Sequence, residues 1–128
     1  MTAHLKNILI KLSDNYYMFC ALLWTLLILY LSLISASTAS KFNVFDFFGI
    51  DKIGHLIFYS TFSFLWCMSF RSKKVDKKNI LFFSISFGVL MEICQLYLFN
   101  GRSFEYYDIV ANILGSIIGI ILFKKFIN

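Results

Sequence analysis

The sequence predicts an all-α polytopic membrane protein with four transmembrane helices, and three observations lead to this fold class. The chain of 128 residues is 59% hydrophobic with a mean hydropathy of +0.76, whereas a soluble domain is roughly half apolar. Its apolar residues form continuous runs instead of one-sided stripes, which is typical of helices surrounded by lipid. The sequence contains no proline to interrupt these runs. The length suits a single domain, residues 1–128.

Four apolar runs predict helices at residues 17–35, 53–70, 80–99 and 107–126. Each run approaches the ~20 apolar residues that an α-helix needs to cross a bilayer. Strands of a membrane barrel are disfavoured because the pattern is continuous and not alternating. The first run admits a second interpretation, a cleaved signal peptide, since lysines precede it and the small residues of SASTAS follow it. Its length exceeds the ~7–15 apolar residues of a usual signal peptide, which favours a retained helix.

The placement of the basic residues predicts the orientation of the chain. The net charge is +5, and nine of the twelve basic residues lie before the first helix, between the second and third, or at the C-terminal end. This bias predicts that both termini and the loop RSKKVDKK face the cytoplasm, while the other two loops face outward. The basic loop lacks interleaved aromatic residues, so we expect the lipid bilayer and no nucleic acid as its partner.

The segment after the first predicted helix, KFNVFDFFGID, is too apolar for a solvated loop. It predicts an interfacial segment that lies flat on the outer membrane surface. The three cysteines, Cys20, Cys67 and Cys94, lie within apolar runs and have neither metal-ligand nor redox spacing. No zinc motif occurs elsewhere, so the spacing predicts no metal and no cofactor.

Polar residues recur on one face at the outer ends of three predicted helices, at the helical spacing of three or four residues. They are Asp51, His55 and Tyr59 on the second helix, Glu92 and Gln95 on the third, and Asp108 and Asn112 on the fourth, with Arg102 in the turn between the last two. An ionised side chain in hydrocarbon costs at least ~2.5–3.5 kcal/mol, so such residues need partners or water. We therefore expect one outward-opening polar pocket with Arg102 at its mouth.

Small residues accompany this polar face and predict how the helices pack. Gly88 lies on the third predicted helix, and Gly115, Ser116 and Gly119 lie on the fourth. Small residues at helical spacing let two backbones approach closely in a membrane. We therefore expect the third and fourth helices to pack closely against each other.

The motifs that carry the polar residues resemble a known family. They read DKxxHxxxY from Asp51, GxxxExxQ from Gly88 and GRxxxxxDxxxNxxG from Gly101, in that order. Over residues 31–122 their spacing resembles the VanZ-like family of small bacterial membrane proteins, named after a protein of teicoplanin resistance. The resemblance implies a multi-pass protein of the bacterial cytoplasmic (inner) membrane, but no settled biochemical activity. Prolines expected after the first helix and before Gly101 are missing, which affects the loops only.

Three functions are compatible with the predicted pocket. The first is binding of an anionic cell-envelope lipid or a wall-precursor headgroup, because Arg102 suits a phosphate or carboxylate and the family is linked to a glycopeptide. The second is a membrane-embedded enzyme that hydrolyses or transfers a lipid headgroup, with His55, Glu92 and Asp108 as candidate catalytic residues, although no nucleophile motif accompanies them. The third is a structural role through interhelical hydrogen bonds. We rank binding first; the pattern does not predict an oligomeric state.

Overall fold

The computed structural model of the protein describes residues 2–34, 50–98 and 104–127. Within these ranges the chain forms α-helices and no strands, so the all-α prediction is confirmed. The described helices are α1 (Ala3–Leu33), α2 (Ile50–Ser69), α3 (Lys77–Leu98) and α4 (Tyr106–Phe126). The ends of α2, α3 and α4 agree with the predicted ends within three residues. Residues 41–49 of the predicted interfacial segment and Arg102 lie outside the described residues, and the last two residues of that segment, Ile50 and Asp51, begin α2.

Helix α1 begins fourteen residues before its predicted start. The prediction began where the apolar run begins, at Tyr17, but the helix begins at Ala3. Thr2 caps it, since the Oγ1 atom of Thr2 accepts a hydrogen bond of 3.4 Å from the backbone N–H of Leu5. Neither glycine nor proline interrupts residues 3–16, so the backbone ladder continues through this polar stretch. Hydropathy therefore marked only the apolar part of this helix.

Helix α2 occupies the centre of the bundle and contacts α1, α3 and α4. Tyr59, Phe62 and Cys67 are therefore buried on it. By length and composition, α1, α3 and α4 are each apolar enough to cross a membrane, and α2 is not among these helices. A central helix faces its neighbours on several sides and tolerates more polar residues than a helix that faces lipid. A fourth span, through α2, and the orientation of the termini stay predictions.

The glycines of α4 pack against α2, and not against α3 as the sequence predicted. A Cβ atom at Gly115 would overlap the backbone carbonyl of Leu56, and one at Gly119 would overlap that of Ser60. These two positions lie four residues apart on one face of α4, so the backbones of α2 and α4 approach closely along this line. The pattern of α4 predicted a close contact but could not tell which helix would make it.

Serines join α2, α3 and α4 in the middle of the bundle. The Oγ atoms of Ser84 and Ser116 lie 2.5 Å apart, and the Oγ–H of Ser63 donates to the Ser116 carbonyl at 2.8 Å. All three side chains are fully buried. Small hydroxyl groups permit close packing and satisfy each other where no water is present. This layer supports the polar residues that lie towards the end of the bundle at which α2 and α4 begin.

Candidate functional site

Side chains from three helices meet at the end of the bundle where α2 and α4 begin and α3 ends. We call this group the polar site; it consists of Asp51, Lys52, His55, Glu92, Glu105, Asp108 and Asn112. The helical spacing predicted the convergence of Asp51, His55, Glu92, Asp108 and Asn112. Their role in binding stays a prediction.

The ammonium group of Lys52 lies among three carboxylates. Its Nζ atom is 2.5 Å from Oδ2 of Asp51 and 3.0 Å from Oδ1 of Asp108, and it also donates to Glu105. The Lys52 side chain is 26% exposed, so this ion-pair network lies at the entrance of the polar site and is partly screened by solvent.

Lys52 and Glu105 were not among the predicted site residues, because both precede the predicted helix starts at residues 53 and 107. Lys52 precedes His55 by three residues and Tyr59 by seven, and Glu105 precedes Asp108 by three. Each therefore shares a helical face with a residue that had been selected. Extension of the helical pattern by one turn would have found Glu105. Lys52 follows Asp51 directly, and the four-residue spacing from Asp51 to His55 passes over it.

His55 lies between side chains of α3 and α4. Its Nδ1 atom is 2.8 Å from Oδ1 of Asn112, and its Nε2 atom is 3.6 Å from Oδ2 of Asp108. An amide oxygen only accepts hydrogen bonds, so the Nδ1–H group donates to Asn112. The Oε1 atom of Glu92 lies 3.9 Å from the same Nδ1 atom. His55 therefore links α3 and α4, with its Nε2 atom directed towards a carboxylate.

Three polar side chains of the site are buried almost completely. Glu92 is 1% exposed, Asn112 is 2% exposed and Asp108 is 7% exposed. Burying a carboxylate costs several kcal/mol unless hydrogen bonds and opposite charges compensate. The Nδ2 atom of Asn112 is also buried and has no hydrogen-bond partner in the part of the chain that the structure describes. A buried amide N–H group without a hydrogen-bond partner destabilises the fold, and an apolar packing residue at this position would avoid that cost.

Tyr59 and Gln95, two further predicted residues, are each 2% exposed. A Cβ atom at Gly88 would lie 3.1 Å from both Cε1 of Tyr59 and Nδ2 of Asn112, so Tyr59 lies beside Asn112 at the floor of the polar site. Gln95 is buried on α3, three residues from Glu92 and on the same helical face. Both residues border the polar site, and neither enters the ion-pair network around Lys52.

An apolar groove of about 260 Å³ lies between α2 and α4, next to the polar site. Its lining residues are Lys52, Ile53, Leu56, Tyr107, Val110, Ala111 and Leu114. Lys52 belongs to both the groove and the polar site, so an apolar surface and a charged one adjoin here. This combination of surfaces fits an amphipathic ligand.

Two sets of side chains could hold a metal ion. The first is His55, Glu92 and Asp108, and the second is Asp51, Glu105 and Asp108; in each set the ligand atoms lie within 4.8 Å of one another. The second set surrounds the ammonium group of Lys52, which already supplies a positive charge there. The first set is the more buried one.

Comparison with known proteins identifies the family of this chain. A search of curated proteins and a search of solved structures each found no significant match. The sequence profile described as VanZ/LLP1 matches residues 15–128, which include all of α2, α3 and α4 and most of α1. The match covers every residue of the polar site, and it confirms the resemblance drawn from the sequence motifs. The chain is therefore a membrane protein that belongs to the VanZ/LLP1 family.

Proposed function

We propose that this protein binds an anionic cell-envelope lipid or a lipid-linked wall precursor. The headgroup occupies the polar site, and the hydrocarbon chain lies in the groove between α2 and α4. The observation that carries this proposal is the direct contact between the two surfaces at Lys52. A water-soluble ligand has no need of the apolar half, and a purely structural polar cluster has no need of a groove beside it.

The groove suits a single hydrocarbon chain. Its described walls come from Ile53 and Leu56 on one side and from Val110, Ala111 and Leu114 on the other. Burial of apolar surface stabilises such a complex by about 25 cal/mol per Å² relative to water, but lipid already surrounds a membrane protein. The groove therefore contributes orientation more than affinity, and selectivity arises at the headgroup.

The charges at the entrance suggest what kind of headgroup fits. Lys52 pairs with carboxylates, so a simple phosphate meets acidic groups as well as a cation. A headgroup that joins a phosphate to hydroxyl or amino groups satisfies both, because its donors bind Asp51 and Glu105 while its phosphate approaches Lys52. Arg102, two residues before the described start of the α4 segment, supplies a second cation by its position in the sequence.

Lipid analysis of the purified protein tests this proposal. The full chain is extracted in mild detergent, and the lipids that co-purify are measured by mass spectrometry. Leu114→Trp fills the groove, and we expect it to reduce the retained anionic lipid severalfold. Leu90→Trp is the matched control, because Leu90 is 52% exposed, Leu114 is 48% exposed, and Leu90 does not line the groove.

The two tryptophan variants separate binding in the groove from annular lipid. Selective loss in Leu114→Trp supports the proposal, whereas equal lipid profiles for wild type and both variants contradict it. Size-exclusion chromatography shows whether each variant remains folded and monodisperse. If Leu114→Trp is not monodisperse, Leu114→Phe fills the same groove by a smaller amount and replaces it in the comparison.

Catalysis is the second candidate, and the position of His55 favours it. Its Nε2 atom lies 3.6 Å from Asp108, and its Nδ1–H group is fixed by Asn112, so the imidazole is oriented as a general base or acid requires. Purified protein incubated with labelled envelope lipids tests this candidate. Turnover in wild type that disappears in His55→Ala establishes an enzyme; lipid retention without turnover leaves binding as the function.

A further inference from the structure

A metal site in the interior of the bundle follows from the arrangement of His55, Glu92 and Asp108. We propose that these three residues bind one divalent transition-metal ion, with Zn²⁺ as the probe. The proposal concerns the interior of the polar site and does not depend on lipid binding in the groove. Each of α2, α3 and α4 supplies one residue, and their ligand atoms lie within 4.8 Å of one another.

The donor set suits a transition metal. One imidazole nitrogen and two carboxylates bind Zn²⁺, Mn²⁺ or Fe²⁺, while sites for Ca²⁺ and Mg²⁺ use oxygen atoms alone. The distance of 3.6 Å between Nε2 of His55 and Oδ2 of Asp108 is too long for a hydrogen bond. It matches the roughly 3.3–3.6 Å that separate two ligands of a tetrahedral Zn²⁺ ion with bonds of ~2.0–2.2 Å. The Oε1 atom of Glu92 lies 3.9 Å from Nδ1 of His55, so the Glu92 side chain shifts towards Nε2 when it completes the set.

The hydrogen bond to Asn112 directs the free nitrogen of His55 towards this position. Because Nδ1–H donates to Oδ1 of Asn112, the lone pair of a neutral imidazole lies on Nε2 and faces Asp108. Two acceptors that face each other repel, and either a metal ion between them or a proton on Nε2 removes this repulsion. Histidine ligands of metals commonly donate their other N–H group to an oxygen in this way. Asn112 is 2% exposed and holds the ring from a second shell.

The charge of the polar site supports a cation. Among the described residues it contains four carboxylates and one ammonium, a formal charge of −3 with His55 neutral. A divalent ion reduces this charge to −1. Glu92 and Asp108 are the most buried of these carboxylates, so solvent screens their interaction with a metal ion least. Asp51 and Glu105 contact Lys52, whereas Asp108 contacts Lys52 through Oδ1 and faces His55 through Oδ2, so Oδ2 is the oxygen atom that would bind the metal.

The sequence predicted no metal, and the arrangement explains why. Paired ligands on one helix, such as two histidines four residues apart, leave a signature in the sequence. Here each helix contributes a single ligand, and the three residues become neighbours only when the helices pack. No spacing rule within one segment detects such a set.

Zinc binding to the full-length protein tests the proposal. The protein is purified in detergent, treated with EDTA, desalted and titrated with Zn²⁺, and the bound metal is quantified by mass spectrometry. We expect one equivalent in wild type and at least a tenfold loss of affinity in Glu92→Gln. Glu105→Gln is the matched control, because it makes the same chemical change outside the proposed ligand set. It only weakens the negative potential at the site, so we expect a loss of affinity of about threefold or less.

The variants distinguish the possible sites. No stoichiometric Zn²⁺ in wild type overturns the proposal without reference to any variant. Equal losses in Glu92→Gln and Glu105→Gln assign the ion to the entrance and also overturn it. Asn112→Ala provides a second variant that keeps all three ligands, and removal of its second-shell support lowers the affinity roughly tenfold or more. If Leu114→Trp loses lipid but still binds Zn²⁺, the metal site does not depend on lipid binding in the groove.

Discussion

Buried carboxylates at the two ends of the bundle have different surroundings. At the end where α2 meets α3, Asp14 of α1 is 5% exposed and accepts hydrogen bonds from the hydroxyl and the backbone N–H of Ser72. Arg71 lies beside it, with Nη2 3.6 Å from Oδ1 of Asp14. One carboxylate thus meets one guanidinium, and the network ties α1 to the turn between α2 and α3.

Among the described residues, the polar site at the opposite end contains more acidic groups than basic ones. Its described residues place four carboxylates around one ammonium and one imidazole, and two of these carboxylates are buried. A buried carboxylate requires opposite charge or hydrogen-bond donors, and the proposed ligand is one source of both at this end. Variants at the two ends sharpen or break this distinction.

The largest expected loss of stability comes from Asp14→Ala at the balanced end. Removal of the carboxylate eliminates two hydrogen bonds to a charged group and leaves Arg71 beside an apolar side chain. We expect the free energy of unfolding to fall by about 2–3 kcal/mol, with Zn²⁺ and lipid binding unchanged. Thermal unfolding in detergent measures the first quantity. Normal stability with impaired ligand binding would contradict the division between the two ends.

A smaller loss is expected from Lys52→Met in the polar site. The substitution keeps the length of the side chain but removes the cation that Asp51, Glu105 and Asp108 share. We expect a loss of about 1–2 kcal/mol, because the ammonium is partly exposed and its pairs are screened. The same change increases the negative potential near Asp108, so Zn²⁺ binds roughly threefold tighter or more.

If the polar site has excess negative charge, Lys52→Met lowers the free energy of unfolding but raises the affinity for Zn²⁺. Zn²⁺ restores part of the lost stability, since an ion that binds only the folded protein stabilises it. Lys52→Arg, which retains the charge, is the control. Weaker Zn²⁺ binding in Lys52→Met than in Lys52→Arg would contradict the electrostatic explanation.

The sequence predicted much of the fold, because helical periodicity determines which residues share a face. It predicted α2, α3 and α4 within three residues of their ends, and it selected His55, Glu92 and Asp108 as neighbours. It misplaced the start of α1, because hydropathy does not detect a polar helix. The helical content of a segment depends on its propensities and its cap, and its hydropathy depends only on composition.

Which helices contact each other was harder to predict from the sequence than the helices themselves. The face that contains Gly115 and Gly119 is visible in the sequence, but it contacts α2 instead of α3. Lys52 precedes the predicted start of the second helix at residue 53, yet its ammonium group contacts three carboxylates in the structure. Periodicity describes one helix at a time, whereas the identity of its neighbour depends on the packing of all four. The contacts of residues at helix ends are the hardest to predict, because the sequence does not fix whether such a residue belongs to the helix or to the loop.

The smallest effect is expected from Glu105→Gln at the entrance of the polar site. The Glu105 side chain is 43% exposed, and its contact with Lys52 is one of three that this ammonium makes. Exposed ion pairs contribute about 0–1 kcal/mol, and two carboxylates remain beside Lys52 after the change. We therefore expect the free energy of unfolding to change by less than about 1 kcal/mol, measured by the same thermal unfolding as for Asp14→Ala. Glu105 and Asp14 each contact a neighbouring segment through one carboxylate. A loss of stability as large as that of Asp14→Ala would show that the entrance of the polar site also stabilises the fold. That result would contradict the contrast between the two ends.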